Sequence, residues 1–266
     1  MKRLLAMIFT VLATCLSFAP VARAANTWGT DYSDMWWIPS ESGWGANIAH
    51  QREVVFMTLY VYGPDSRMRW YAATNMQSRG GASASVFDGD MYEFAGPYFG
   101  AVPFNPQNVN ARRAGSATLT FNSVSQGTLN YSIDGVQISK PIQRQTFRDN
   151  NLSGSYVGSQ SSTVSGCGAT NGIRVDGGAT VVSHAPDNVV SITTSLNGAA
   201  TCIYSGNYLQ NGRLGEITGS VTCSEGANGS FYMSEIEAGY LGYIGRFATS
   251  LGGSCTESGT MAWLTR

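Results

Sequence analysis

Trp36, Trp37, Glu41 and Trp44, all within nine residues of one another, are the side chains in this sequence best suited to chemistry. Tyr60, Tyr62, Trp70 and Tyr71 extend the aromatic group. Flat rings displayed together can stack a sugar ring or an apolar ligand on a surface or at the mouth of a barrel. Trp36, Trp37, Glu41, Trp44, Tyr60, Tyr62 and Trp70 are therefore the candidate ligand-binding residues. Each also has a structural reading. Large aromatics dominate cores, and Gly43 and Gly45 beside Trp44 favour close packing of that indole. Glu41 between two serines suits capping or turn stabilisation better than catalysis. Glycoside hydrolysis needs a second carboxylate at a set distance, and the available partners, Glu53, Asp88, Asp90 and Glu93, read equally well as solvated strand or turn residues.

Other chemistries find little support. His50 and His184 are the only histidines, one in each half, which argues against a Ser-His-Asp triad or a histidine-rich zinc site. Asp88-Gly89-Asp90 lacks the remaining positions of a calcium loop. Asp176-Gly177-Gly178 reads as a turn leading into a strand. With no phosphate loop and no dinucleotide fingerprint, no catalytic residue, metal or cofactor is assigned.

The N-terminus reads as an export signal over residues 1–24: Lys2 and Arg3, an apolar run from Leu4 to about Ala19, then Ala22-Arg23-Ala24 before cleavage. The run is shorter than a spanning helix needs and is interrupted by Thr10, Thr14 and Ser17; lipidation at Cys15 is disfavoured by Thr14 before it. A mature chain starting at Ala25 has no membrane span. It keeps 16 − 3 = 13 basic against 17 acidic residues, a charge of −4, which disfavours nucleic acid as a partner. Lys140 is then its sole lysine. Low charge with 32 glycines and 13 tyrosines suits an exported β protein, periplasmic or secreted.

The elements that must position these residues are strands. Expected runs are 43–51, 53–62, 68–75, 83–94, 116–121, 128–133 and 136–147, with an irregular loop from Gly96 to Arg113. The Asp134-Gly135 pair suits a tight type I′ hairpin. A polar break at Arg148-Asp149-Asn150-Asn151 separates a first domain, 25–149, from a second, 150–266. Eight further runs follow: 152–160, 179–184, 189–195, 201–208, 216–223, 229–236, 240–247 and 259–264. The expected fold class is all-β, with two antiparallel up-and-down meander or barrel-like domains in tandem. No internal repeat is visible between the halves.

Cys167, Cys202, Cys223 and Cys255 all fall in the second half, an even set in an oxidising compartment. A hairpin turning at Asn211-Gly212-Arg213 centres near 212.5, the mean of 202 and 223, so Cys202 and Cys223 should face each other. Cys167 follows the first strand of the second domain and Cys255 precedes its last. In a closed meander these strands are neighbours, which predicts a Cys167–Cys255 bond.

Trp36-Trp37, Pro39-Ser40-Glu41-Ser42-Gly43-Trp44-Gly45, Tyr62-Gly63 with Arg69-Trp70-Tyr71, the Gly89–Gly96 segment and Lys140-Pro141-Ile142 resemble a family of secreted proteobacterial domains of unknown function, over residues 35–147. The second half, through Gly212-Arg213-Leu214-Gly215 and Ser234-Glu235-Ile236, is similar to a segment found behind that domain. This resemblance implies a fold unit and an exported setting and transfers no catalytic residue. Gly154-Ser155-Tyr156 resembles the opening of lipocalin-like and avidin-like barrels.

Three functions compete. The first is an exported non-enzymatic binding module for a glycan, a small apolar ligand or an envelope protein. The others are a secreted glycan hydrolase with Glu41 in its site, and an inhibitor of a hydrolase.

Overall fold

A computed structural model describes residues 29–81, 84–198 and 200–266. The expected signal sequence and Cys15 lie outside the described residues. No helix among these residues is long and apolar enough to cross a membrane.

The first eight strands are β1 (Asp34–Trp37), β2 (Gly45–Gln51), β3 (Val54–Tyr62), β4 (Met68–Ser78), β5 (Val86–Ala95), β6 (Asn110–Phe121), β7 (Gln126–Ile133) and β8 (Val136–Arg144). Each pairs antiparallel with the next, and β1 closes on β8. The second eight are β9 (Gly154–Ser165), β10 (Gly172–His184), β11 (Val189–Leu196), β12 (Thr201–Asn211), β13 (Leu214–Cys223), β14 (Asn228–Gly239), β15 (Gly242–Ser250) and β16 (Thr256–Thr265). They form a second closed up-and-down barrel in which β9 pairs with β16. Closure leaves neither sheet with a free edge.

Both predicted disulfides are present. Cys202 lies opposite Cys223 in the β12–β13 ladder, and Cys167–Cys255 ties the ends of β9 and β16. At the β7–β8 turn, Asp134 and Gly135 have φ of 49° and 84°, the two positive values that a type I′ turn requires.

Three local expectations are corrected. Trp36 and Trp37 belong to a strand, β1, which closes the first barrel. β6 starts at Asn110, so the irregular loop is shorter than expected. Asp176-Gly177-Gly178 is not a turn but the middle of β10. A Cβ on Gly178 would stand 2.1 Å from the Ser195 carbonyl oxygen, so the glycine permits close approach of backbones rather than a reversal.

A repeat does exist in three dimensions. The N–H of Tyr32 donates to His50 Nδ1 (3.3 Å), the His50 N–H to Ser33 Oγ (2.8 Å), and the Trp36 indole to the Tyr32 carbonyl (2.9 Å). In the second barrel, Leu152 N–H donates to His184 Nδ1 (3.2 Å), His184 N–H to Ser153 Oγ (2.9 Å), and the Tyr156 hydroxyl to the Leu152 carbonyl (2.7 Å). Residues 32, 33 and 36 thus do what 152, 153 and 156 do. The histidine follows at different distances, 50 − 36 = 14 and 184 − 156 = 28, because the strands of the second barrel are longer.

Alternating side chains fill both interiors. Trp36, Ile48, Met57, Leu59, Met76, Phe87, Met91, Leu119 and Leu129 are fully enclosed in the first barrel. The second encloses Ile192, Ile217, Phe231, Ile236 and Trp263 among others, and an internal void of about 10 Å³ between Ile192, Tyr204, Tyr243 and Trp263 is no larger than a single water needs.

The barrels meet end to end. Asp34 pairs with the wholly buried guanidinium of Arg144 (3.0 Å), which also donates to the carbonyls of Asp31 (2.5 Å), Ser33 (3.1 Å) and Val124 (2.6 Å). From the β12–β13 turn, Arg213 donates its N–H to Asp34 Oδ2 (2.9 Å) and its side chain to the Ser33 carbonyl (3.0 Å), and pairs with Asp31.

Candidate functional site

The tryptophan-rich segment reaches from β1 around the far end of the first barrel into β2. A single 3₁₀ turn, Pro39–Glu41, follows β1, and Gly43 at φ 122° takes a backbone conformation that side chains disfavour. A Cβ on Gly45 would lie 3.1 Å from the Trp36 carbonyl, so the glycine lets β2 lie tight against β1.

Trp44 is half-buried against the core. Its indole N–H donates to Glu41 Oε2 (3.0 Å), and Lys140 Nζ, from β8, donates to the same oxygen (2.6 Å) while lying 5.7 Å from the Trp44 ring centre. The Lys140 and Trp44 hydrogen bonds hold the Glu41 carboxyl below its ordinary range. A general acid needs the opposite shift. Glu41 thus joins two side chains across the barrel end. Beyond it, Arg112 bridges Glu93 (2.6 Å) and Asp134 (2.5 Å). Burial, and secondarily the charge of Glu41, raises the Tyr131 phenol.

The remaining candidates divide between core and surface. Trp36 is 0% exposed and belongs to the core, where Arg144 lies over its ring. Tyr71 is buried too. Trp37, its neighbour in β1, turns outward into a groove of about 290 Å³ lined by Pro39, Gln126, Thr128 and Gln143 among others.

Tyr60, Tyr62 and Trp70 come together on the outer wall formed by β3 and β4. Tyr60 is the cross-strand partner of Trp70. The wall continues onto β5, where the Phe94 ring stacks on Trp70 with centres 5.4 Å apart and planes 7° from parallel, and Tyr92 lies 6.4 Å from Phe94. Trp70 remains 49% exposed and Tyr60 40%. Phe94 and Tyr92 escape sequence reasoning, because only the register opposing Ala72 to Tyr92 brings them beside Trp70.

Among the described residues no group of three or more histidine, cysteine, aspartate or glutamate side chains could hold a metal ion. No model of a protein family matches the chain, and no curated protein sequence matches it.

Proposed function

We propose that this protein is an exported, non-enzymatic binding module that stacks the sugar rings of a glycan on Tyr60, Trp70 and Phe94. One observation carries the reading: the near-parallel, half-exposed Trp70–Phe94 pair on the outer wall of a barrel whose interior is full. Apolar rings left in water are costly unless something covers them, and the flat face of a pyranose ring can stack on the exposed face of an aromatic ring. A filled interior favours the wall over the barrel mouth as the place for a ligand. Export is supported by two disulfides and by the signal-like N-terminus. Membership of the family of secreted proteobacterial domains is part of the same proposal and rests on the motif residues.

A glycan array followed by tryptophan-fluorescence titration tests the reading. Binding without turnover is expected, with Trp70→Ala weakening it about tenfold or more while melting stays near wild type. Release of product from a bound glycan would move the assignment to a hydrolase. A stable complex with a purified hydrolase and no glycan binding would move it to an inhibitor.

A further inference from the structure

The connection from β5 to β6, residues 96–109, carries no charged side chain, nor does any position from Phe94 to Ala111. Tyr98, Phe99, Val102 and Phe104 all stand out into solvent, with Phe99 89% and Val102 94% exposed. The β3–β4 turn lies at the same end of the barrel, and continuing the Ala72–Tyr92 register sets Met68 opposite Gly96. Met68 and Tyr62 flank that turn and are exposed as well. In an up-and-down barrel alternate connections share an end, so this apolar end is opposite the one that the second barrel's β12–β13 turn occupies. It faces away from the rest of the molecule.

Charge at this end is arranged to match. Glu41 is paired with Lys140, Asp65 with Arg69, and Glu93 and Asp134 with Arg112. Arg67, in the β3–β4 turn, is exposed, and its guanidinium bonds to no described residue. The charges named at this end balance, with Glu41, Asp65, Glu93 and Asp134 against Lys140, Arg69, Arg112 and Arg67, so a mature chain of net charge −4 presents here an end of no net charge on which the Arg67 guanidinium is the cation that bonds to no described residue.

We infer that this end docks on a phospholipid bilayer, with Tyr98, Phe99, Val102 and Phe104 entering the interfacial zone and Arg67 at the level of the phosphates. Aromatic rings favour the boundary between headgroups and acyl chains. An uncharged segment enters it without stripping water from an ion. A cation close to anionic lipid is drawn towards the surface. The inference does not rest on the glycan reading, since the sugar platform is the wall of the barrel and the loop is its end.

The test is flotation of the chain beginning at Ala25 with vesicles of phosphatidylcholine and phosphatidylglycerol in equal amounts. Folded protein should float with the vesicles. Phe99→Ser combined with Val102→Ser should lower binding about tenfold or more with unchanged melting, because both side chains already stand in water. Arg67→Gln should lower it a few-fold, and this deficit should vanish on vesicles of phosphatidylcholine alone. Wild-type protein that stays with the soluble fraction, or a double variant that floats like wild type, overturns the inference.

Discussion

His50 and His184 occupy equivalent places in the two barrels: each accepts the N–H of the residue before a serine on Nδ1 and donates its own backbone N–H to that serine's hydroxyl. The two histidines pin the chain entering β1 and β9 against the end of β2 and β10. Neither is displayed as a catalytic base.

Replacing His184 by alanine leaves the buried Leu152 N–H without an acceptor, which costs about 1–3 kcal/mol. Chemical denaturation should show that loss. His50→Ala should give a loss of similar size, because the same bond to Tyr32 is removed. A near-neutral result at both positions would mean that the shared geometry contributes nothing to stability.

The two tryptophans flanking the 3₁₀ turn should separate cleanly. Trp36 is fully enclosed, so Trp36→Ala should cost about 3–5 kcal/mol through lost transfer energy and the cavity left behind. Trp44 is only half-buried, and Trp44→Ala should cost clearly less in the same denaturation experiment. Equal losses would contradict that difference in burial.

Much of this was legible in sequence. Alternation and turn residues specify two strand series, and the centre of the Asn211-Gly212-Arg213 turn specifies the Cys202–Cys223 register, because a one-residue slip would point the sulfurs to opposite faces. What stayed hidden depends on partners distant in the chain. Asp176-Gly177-Gly178 has turn composition, and only the opposing Ser195 backbone makes Gly178 a strand residue. Trp70 could be named from its type, but Phe94 could not be joined to it without the β4–β5 register. The repeat was masked because Tyr32 and Leu152, or Trp36 and Tyr156, share a hydrogen-bonding role while differing in side chain.

Glu41 should titrate below ordinary glutamate, whose pKa is about 4.3. Its folded value is depressed by Lys140 and Trp44, so the stability linked to it is present above the unfolded pKa and is lost as pH falls through the folded one. The group is exposed and the loss should be small. NMR titration of the Glu41 carboxyl should give a midpoint that rises towards the ordinary value in Lys140→Ala. An unchanged midpoint in that variant would remove Lys140 as the main cause.

The second barrel should be sensitive to alkali. Burial pushes the phenols of Tyr204 and Tyr208 up to about 12, and that of Tyr243 higher still. For a neutral acid with a raised folded pKa, stability is complete below the unfolded value of about 10 and is lost as pH rises towards the folded one. Denaturant midpoints should fall between about pH 10 and 12, and Tyr204→Phe should flatten that fall. A midpoint independent of pH across the window would show that these phenols ionise while folded.

Gly212 lies within the seam where the second barrel meets the first, and its replacement tests what that part of the seam contributes. At φ 60°, Gly212 is left-handed, and a Cβ there would stand 2.1 Å from Asp34 Oδ2 and 3.0 Å from Arg144 Cβ. Gly135, in the β7–β8 turn of the first barrel, is also left-handed at φ 84° but has nothing within 4 Å of the same position. Gly135→Ala should therefore cost only the backbone term, about 1–2 kcal/mol. Gly212→Ala carries that term and must also displace the Asp34 carboxylate, which accepts the Arg213 N–H and pairs with the buried Arg144. Breaking a buried, charge-assisted contact adds about 1.5–3 kcal/mol. Because the added loss falls on the seam, Gly212→Ala should also pull the unfolding of the two barrels apart, observed as two transitions in calorimetry where Gly135→Ala retains the wild-type profile. Equal costs and identical profiles for the two substitutions would mean that the Asp34–Arg213 contact does not couple the barrels.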